Sequence, residues 1–107
     1  GNLPLWLAPV QISILPVKNE YHLEYCKKIK EELESYNIRV ELNDKDEKLS
    51  YRMRETQTKK IPYILIIGDK EKENKEVSYR LHGSNNTESM KLKKFGKFLQ
   101  EKIKKYK

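Results

Sequence analysis

Two side chains on one predicted helix have the types and spacing to share a metal ion. His22 and Cys26 lie four residues apart, which places them on the same side of an α-helix. Imidazole and thiolate both bind zinc, but a protein-held ion needs three or four ligands, and the other histidine, His82, is distant in sequence. The pattern favours a small core residue at Cys26, and we expect no metal in this chain.

Motifs for phosphate binding and for nucleophilic catalysis are missing. The four glycines never form a Gly-x-Gly or Gly-x-x-x-x-Gly-Lys arrangement, so no glycine-rich loop is predicted to cradle a nucleotide. No candidate nucleophile stands out either. The sequence therefore argues against nucleotide hydrolysis and against a small-molecule enzyme, and we expect no catalytic residue.

Three carboxylates cluster before a predicted helix: Asp44, Asp46 and Glu47. Asp44 and Glu47 have the spacing of a capping box, which predicts that the helix begins there. Negative charge at this end also complements the helix dipole. Capping is the simpler role for Asp44, whereas at Asp46 it competes with a role in recognition.

The positive charge of the chain is confined to its end. Residues 91–107 carry eight lysines and one glutamate, which accounts for the whole formal charge of +7 and leaves residues 1–90 balanced at 15 basic and 15 acidic side chains. A basic terminal helix suits a polyanionic partner. A lysine-rich solvated face is the commoner explanation, so this charge does not locate a site.

Apolar periodicity predicts the elements that must position these residues. Alternating or unbroken apolar runs predict strands at residues 10–15, 38–42, 63–67 and 76–81. Apolar steps of three and four predict helices at residues 20–36, at residues 44–59 and from Leu92 onward, where the stripe comprises Leu92, Phe95, Leu99, Ile103 and Tyr106. Residues 68–70 are predicted to turn and residues 83–87 to form a polar loop. The unbroken run at 63–67 is typical of a central strand covered on both faces.

Length and composition predict one cytoplasmic domain. A chain of 107 residues has room for a single core but not for a further catalytic module. The single cysteine excludes an intrachain disulfide, and the opening residues do not resemble a signal peptide. No apolar run approaches the roughly 20 residues that span a bilayer, so no membrane partner is expected.

Four sequence blocks together resemble one enzyme family. They are WLAPVQ at residues 6–11, DEKLS at 46–50, KIPY at 60–63 and GDKE at 68–71. In this order and spacing they resemble the C-terminal anticodon-binding domain of bacterial threonyl-tRNA synthetases, which are class IIa aminoacyl-tRNA synthetases. The likeness runs from about residue 4 to residue 98.

The resemblance implies an α/β fold with a mixed, five-stranded sheet flanked by three helices. Residues 1–107 would be the anticodon-binding domain, without the catalytic and editing domains of the parent enzyme. The domain would bind the anticodon loop of threonine tRNA and catalyse nothing alone. The parent enzyme would be a threonine–tRNA ligase, a homodimer that uses ATP, Mg and Zn outside this domain.

The resemblance also assigns roles to individual residues. The family's base-reading acid and arginine correspond to Glu71 and Arg80, and a third base-reading position, normally asparagine, corresponds to Asp46. A carboxylate can accept hydrogen bonds from the ring N–H and amino group of guanine, and an arginine can donate a fork of two. Unstacked bases of a single-stranded loop present these edges.

The second predicted helix supplies candidate phosphate contacts. Lys48, Arg52 and Arg54 could hold phosphates of the tRNA stem or loop, which would position the RNA without reading its sequence. Tyr51, Tyr63 and Tyr79 are candidates for base stacking, although a core position explains each equally well. Trp6 is predicted to pack toward the rest of the parent enzyme.

The chain departs from the family pattern at three places. Asp46 replaces an amide, which both donates and accepts, with a group that only accepts. Residues 81–83 replace a basic run, and Ser50 replaces glycine. The first two departures bear on local affinity for RNA, and none of the three changes the expected fold.

Two alternatives remain open on the sequence. One is the homologous domain of a prolyl, histidyl or glycyl synthetase, which the blocks at 6–11 and 47–49 argue against. The other is a protein-interaction or dimerisation module that keeps the fold but no longer binds tRNA. The discriminating feature is whether Glu71, Arg80 and the second helix share one exposed face.

Overall fold

The computed structural model describes residues 8–45, 47–84 and 86–104, and within them the chain forms five strands and four helices. Asp46, Trp6 and Tyr106 lie outside the described residues. The elements in chain order are β1 (Ile12–Pro16), α1 (Asn19–Ser35), β2 (Val40–Leu42), α2 (Leu49–Thr58), β3 (Tyr63–Ile67), α3 (Asp69–Asn74), β4 (Glu76–Leu81), β5 (Glu88–Lys91) and α4 (Leu92–Lys104).

The five strands form one mixed sheet in the order β2-β1-β3-β4-β5. β2 and β3 run parallel to β1, whereas β4 is antiparallel to β3 and β5 is antiparallel to β4. The predicted mixed, five-stranded α/β fold is confirmed, and β3 occupies the predicted central position. The long apolar run of β3 fits this position because side chains on both of its faces must be covered.

The first face of the sheet carries the hydrophobic core. Side chains from β1, β3 and β4 pack there against the apolar stripes of α1 and α4. The helix stripes fit because residues three and four apart project from one side of a helix. The fully buried core includes Ile12, Ile14, Cys26, Ile29, Leu33, Leu65, Ile67, Val77, Phe95 and Leu99. An aromatic cluster closes the β4 side of this core, with ring centroids 5.1 Å apart for Tyr79 and Phe95 and 6.1 Å apart for Tyr63 and Phe95.

Helix α2 packs on the second face of the sheet, next to β1. Lys59 at the C-terminal end of α2 forms an ion pair with Glu41 of β2 at 3.4 Å, and Glu41 also accepts a hydrogen bond from Ser13 of β1 at 3.1 Å. Because neighbouring side chains in register point to the same face, α2 lies opposite α1 and α4. Of the four helices in the described residues, α2 alone makes its sheet contacts mainly with β1.

The predicted count of three helices is corrected to four. The segment predicted as a turn after β3 is the helix α3, which begins at Asp69 and ends where Lys75 takes a left-handed conformation with φ 53°. Glu71 stabilises its start by accepting a hydrogen bond from the backbone N–H of Gly68 at 2.7 Å. Six charged or polar residues show no apolar periodicity, so the pattern could not reveal this helix. β5 was likewise not among the predicted strands.

The start of α2 also differs from the prediction. The helix begins at Leu49 with Lys48 as its N-cap, and the expected capping box of Asp44 and Glu47 does not form. The preceding residues stay in a loop because Arg52 donates hydrogen bonds to the carbonyls of Glu47 at 3.0 Å and Asn43 at 3.3 Å. The Arg52 side chain, rather than a capping box, thus links the loop to the first turn of the helix.

Candidate nucleic-acid interface

Strand β4 separates two kinds of side chain. Val77 and Tyr79 point into the core and are 0% and 6% exposed, whereas Ser78 and Arg80 point to the second face. Ser78 pairs with Ile66 of β3, and Arg80 pairs with Ile64. Two residues along a strand span about 7 Å, so Ser78 and Arg80 are neighbours on that face.

Glu71 reaches this face from α3. One oxygen, Oε1, accepts the hydrogen bond from the Gly68 N–H that starts the helix, and Oε2 accepts a hydrogen bond from the Ser78 hydroxyl at 2.9 Å. The residue is only 9% exposed. A carboxylate offers about four acceptor positions, so each oxygen keeps a lone pair after these contacts. The carboxylate of Glu71 therefore lies beside Ser78, which is two residues before Arg80 on β4.

Arg80 is half-buried, and its guanidinium is hydrogen-bonded through Nε. Its Nε donates a hydrogen bond to the hydroxyl oxygen of Thr87 at 2.7 Å. Within residues 8–45, 47–84 and 86–104, no acceptor takes up the two terminal nitrogens. Those nitrogens form the edge of the guanidinium that donates two parallel hydrogen bonds to an acceptor pair. The terminal edge of Arg80 thus has no acceptor among the described residues.

Helix α2 borders the same face, so Glu71, Arg80 and α2 lie on one side of the sheet. Lys59 of α2 pairs with Glu41, and Glu41 accepts a hydrogen bond from Ser13 of β1. Across the sheet, Ser13 is in register with Ile64 of β3, which is in register with Arg80 of β4. Side chains in register point to the same face. A shared exposed face was the feature expected to separate nucleic-acid recognition from a protein-interaction module. Glu71 and Arg80 share the face with α2, but Glu71 is only 9% exposed and Arg80 is half-buried, so recognition by these residues stays a prediction.

Arg52 lies beneath α2 rather than on its surface. It is 3% exposed, and its guanidinium donates to the carbonyls of Glu47, Asn43 and, at 3.5 Å, Val17. These acceptors lie just after β1, just after β2 and just before the N-cap of α2. The side chain joins three chain segments and is buried, which argues against the phosphate contact expected from the sequence.

The other predicted cations of α2 are accessible. Lys48 and Arg54 are exposed, and among the described residues neither forms an ion pair. Tyr51 is 54% exposed, whereas Tyr63 and Tyr79 are core residues. Of the three tyrosines, only Tyr51 therefore keeps a surface on which a base could stack.

His22, which the sequence suggested only as an improbable metal ligand, links α1 to α3. Its Nδ1 accepts a hydrogen bond from the Lys18 N–H at 3.1 Å. The proton must then be on Nε2, which donates to Asp69 Oδ1 at 2.7 Å. This hydrogen bond lowers the pKa of Asp69. Because Asp69 is the first residue of α3, the link helps to place the helix that carries Glu71.

Cys26 is a core residue, as the apolar stripe indicated. Its side chain is 0% exposed, and burial raises the pKa of its thiol to about 12. Within the described part of the chain, no three His, Cys, Asp or Glu side chains come close enough together to hold a metal ion. In the same residues, no helix has the length and apolar character to cross a membrane.

Comparison with known proteins places this arrangement in a defined class. Residues 11–102 match the family model of the anticodon binding domain, so the chain belongs to that family. Its relatives identify the branch. The chain is 45% identical over 103 residues to the threonine–tRNA ligase of Oceanobacillus iheyensis and 47% identical over 97 residues to threonine–tRNA ligase 1 of Bacillus subtilis. These alignments cover 96% and 91% of the chain but only 16% and 15% of the two ligases.

Solved structures agree with this assignment. The RNA-binding domain of threonyl-tRNA synthetase from Cryptosporidium parvum superposes with a TM-score of 0.88 at 26% identity, covering 94% of this chain and 25% of that one. Prolyl-tRNA synthetase from the same organism superposes with a TM-score of 0.86 at 16% identity, covering 97% of this chain and 22% of that one. The second likeness shows the fold alone. The predicted resemblance to the anticodon-binding part of threonine–tRNA ligases is confirmed.

Proposed function

We propose that this chain recognises the anticodon loop of threonine tRNA on behalf of a threonine–tRNA ligase, with Glu71 and Arg80 as the base-reading groups. The observation that carries the proposal is the placement of both side chains on one face of the sheet: Ser78 donates a hydrogen bond to Glu71, and Arg80 lies two residues after Ser78 on the same strand. They come from separate elements, α3 and β4, and carry complementary hydrogen-bonding capacity.

The chemistry of the pair suits the anticodon. Threonine anticodons share guanine and uracil at their second and third letters. Glu71 can accept from the ring N–H and amino group of guanine through its remaining lone pairs, and Arg80 can donate through its terminal edge to guanine O6 and N7 or to a uracil carbonyl. Bases of a single-stranded loop are read on these edges.

Lys48 and Arg54 would hold backbone phosphates, since both are exposed cations on the helix that borders the reading face. Arg52 is left out of the RNA contacts and acts instead as the link beneath α2. Asp46, assigned by the resemblance to the third reading position, stays in the proposal on that ground alone.

The parent protein would be a cytoplasmic, homodimeric ligase that charges threonine tRNA with ATP, using magnesium and a zinc-bearing catalytic domain. Residues 1–107 would serve it as a single anticodon-binding domain. A longer parent ligase is supported by the relatives, because the chain aligns with only 16% and 15% of the ligases of Oceanobacillus iheyensis and Bacillus subtilis.

Binding across a salt series tests the proposal. The chain is titrated with threonine tRNA and with the same tRNA carrying another anticodon. We expect the wild type to prefer threonine tRNA and Glu71→Gln to lose that preference. Glu34→Gln, on the exposed side of α1, is the matched control and should keep it. Equal binding of both RNAs by the wild type at every salt concentration would refute the proposal.

A further inference from the structure

We propose that two hydroxyl groups, those of Ser78 and Thr87, are positioning groups for base recognition: Ser78 orients the carboxylate of Glu71, and Thr87 orients the guanidinium of Arg80. The inference rests on the proposed function, because it assigns partners to the side chains proposed to read bases. Neither hydroxyl was singled out by the motifs in the sequence.

Ser78 belongs to a directed chain of hydrogen bonds. Its Oγ lies 2.9 Å from Glu71 Oε2 and 3.0 Å from Ser89 Oγ of β5. A hydroxyl has one proton to donate, and a carboxylate only accepts. Ser78 therefore donates to Glu71, and Ser89 donates to Ser78.

The result is a carboxylate held at both oxygens. Gly68 N–H holds Oε1 at 2.7 Å, and the Ser78 hydroxyl holds Oε2. Two donors on two oxygens fix the plane of the carboxylate, so the remaining lone pairs have fixed directions. A pair of N–H donors on one base edge needs such a fixed pair of acceptors. With Ser78 removed, the carboxylate keeps its helix-capping bond but can rotate about it.

Thr87 orients Arg80 by occupying the Nε edge of its guanidinium. A guanidinium can donate in parallel from its Nε side or from its two terminal nitrogens. The Thr87 hydroxyl accepts from Nε at 2.7 Å, which takes the first edge out of use and aims the second. Without Thr87, Arg80 would keep its charge but gain a second way to present donors.

The test compares binding of two RNA stem-loops. One carries a threonine anticodon, and the other has adenine in place of the central guanine. The variants are Ser78→Ala and Thr87→Val, which remove the hydroxyls, with Ser78→Thr and Thr87→Ser as the hydroxyl-keeping counterparts. Ser35→Ala, an exposed hydroxyl at the end of α1, is the distant control.

We expect Ser78→Ala and Thr87→Val each to reduce the preference for guanine by about 3- to 10-fold, as the loss of one orienting hydrogen bond predicts. The counterparts Ser78→Thr and Thr87→Ser should restore it, and Ser35→Ala should leave it unchanged. Thermal unfolding of each variant, followed by circular dichroism, separates orientation from folding.

The possible failures are distinguishable. A wild type without preference for guanine overturns the proposed function and this inference together. If Glu71→Gln and Arg80→Ala lose the preference while Ser78→Ala and Thr87→Val keep it, the positioning role alone is overturned. Loss of preference in Ser78→Thr as well as Ser78→Ala, at lowered melting temperature, makes Ser78 a structural residue and also overturns its role.

Discussion

The two faces of the sheet differ in what their side chains do, although they share the same strands. The first face is filled by aliphatic and aromatic side chains between the sheet and the helices α1 and α4. The second face also buries Leu15 and Ile64, but at β4 it carries hydroxyls, an acid and an arginine. Along β4 the two sets alternate residue by residue. Along β4, the core positions and the positions proposed to serve recognition are therefore adjacent, and we expect substitutions one residue apart to have different consequences.

The largest effect is expected on the first face. Phe95 is fully buried and packs against Tyr63 and Tyr79. Phe95→Ala should lower the free energy of unfolding by about 3–5 kcal/mol, because it removes buried apolar contacts and leaves a cavity. Chemical denaturation measures this loss. Near-wild-type stability would mean that the aromatic cluster is not the centre of the core.

On the second face, Arg80→Ala should weaken RNA binding rather than lower stability. We expect binding of threonine tRNA to weaken by about 1–3 kcal/mol, as for a base-reading arginine, with little change for an anticodon-swapped tRNA. Stability should hardly change, because the side chain is half-buried and hydrogen-bonded to an exposed threonine. Equal losses on the two RNAs would instead indicate a phosphate contact.

Arg52 and Lys48, both on the α2 side, sharpen the comparison because one is buried and the other exposed. Arg52→Ala should lower the free energy of unfolding by about 1–3 kcal/mol, since it leaves buried carbonyls without donors. Lys48→Ala should leave stability unchanged and lower the magnitude of the salt slope of RNA binding by about one unit or less.

Denaturation and a salt series on the same pair of proteins check these expectations. If Arg52→Ala keeps wild-type stability but lowers the magnitude of the salt slope of RNA binding, Arg52 contacts a phosphate after all. Lys27→Ala, on the exposed side of α1, is the control for the loss of a positive charge far from α2.

The smallest expected effect is at Asp46, which lies outside the described residues. Asp46→Asn removes a negative charge near RNA phosphates and adds a donor. Binding of threonine tRNA should tighten by about 0.5–1.5 kcal/mol if one neutral hydrogen bond is gained. Titration beside thermal melting tests this, and weaker binding at unchanged stability would make the carboxylate itself a recognition group.

Much of the fold could be predicted because its signals are local. The strands at Tyr63–Ile67 and Glu76–Leu81 agree with the prediction to the residue, and α1 agrees to within one residue at each end. Apolar periodicity is long enough in these segments to show which face is buried. α3 has no such signal, since its start depends on Glu71 and its end on a left-handed residue, Lys75.

Part of the candidate site could also be predicted from the sequence. The period of two along a strand places Ser78 on the same side as Arg80, so the alternation already distinguished it from Val77 and Tyr79. The sequence patterns did not show that the Ser78 hydroxyl meets Glu71, because that contact requires α3 to fold back onto β4.

By itself the sequence determined the family, the central strand and the residue types that could read bases, since these depend on local patterns and on blocks of matching spacing. Only the tertiary structure decided which of those residues are available. Arg52 looks like a surface cation in sequence, yet it donates to the carbonyl of Val17, 35 residues away. Its role depends on where distant carbonyls lie after folding, because a buried guanidinium is stable only where such acceptors converge on it.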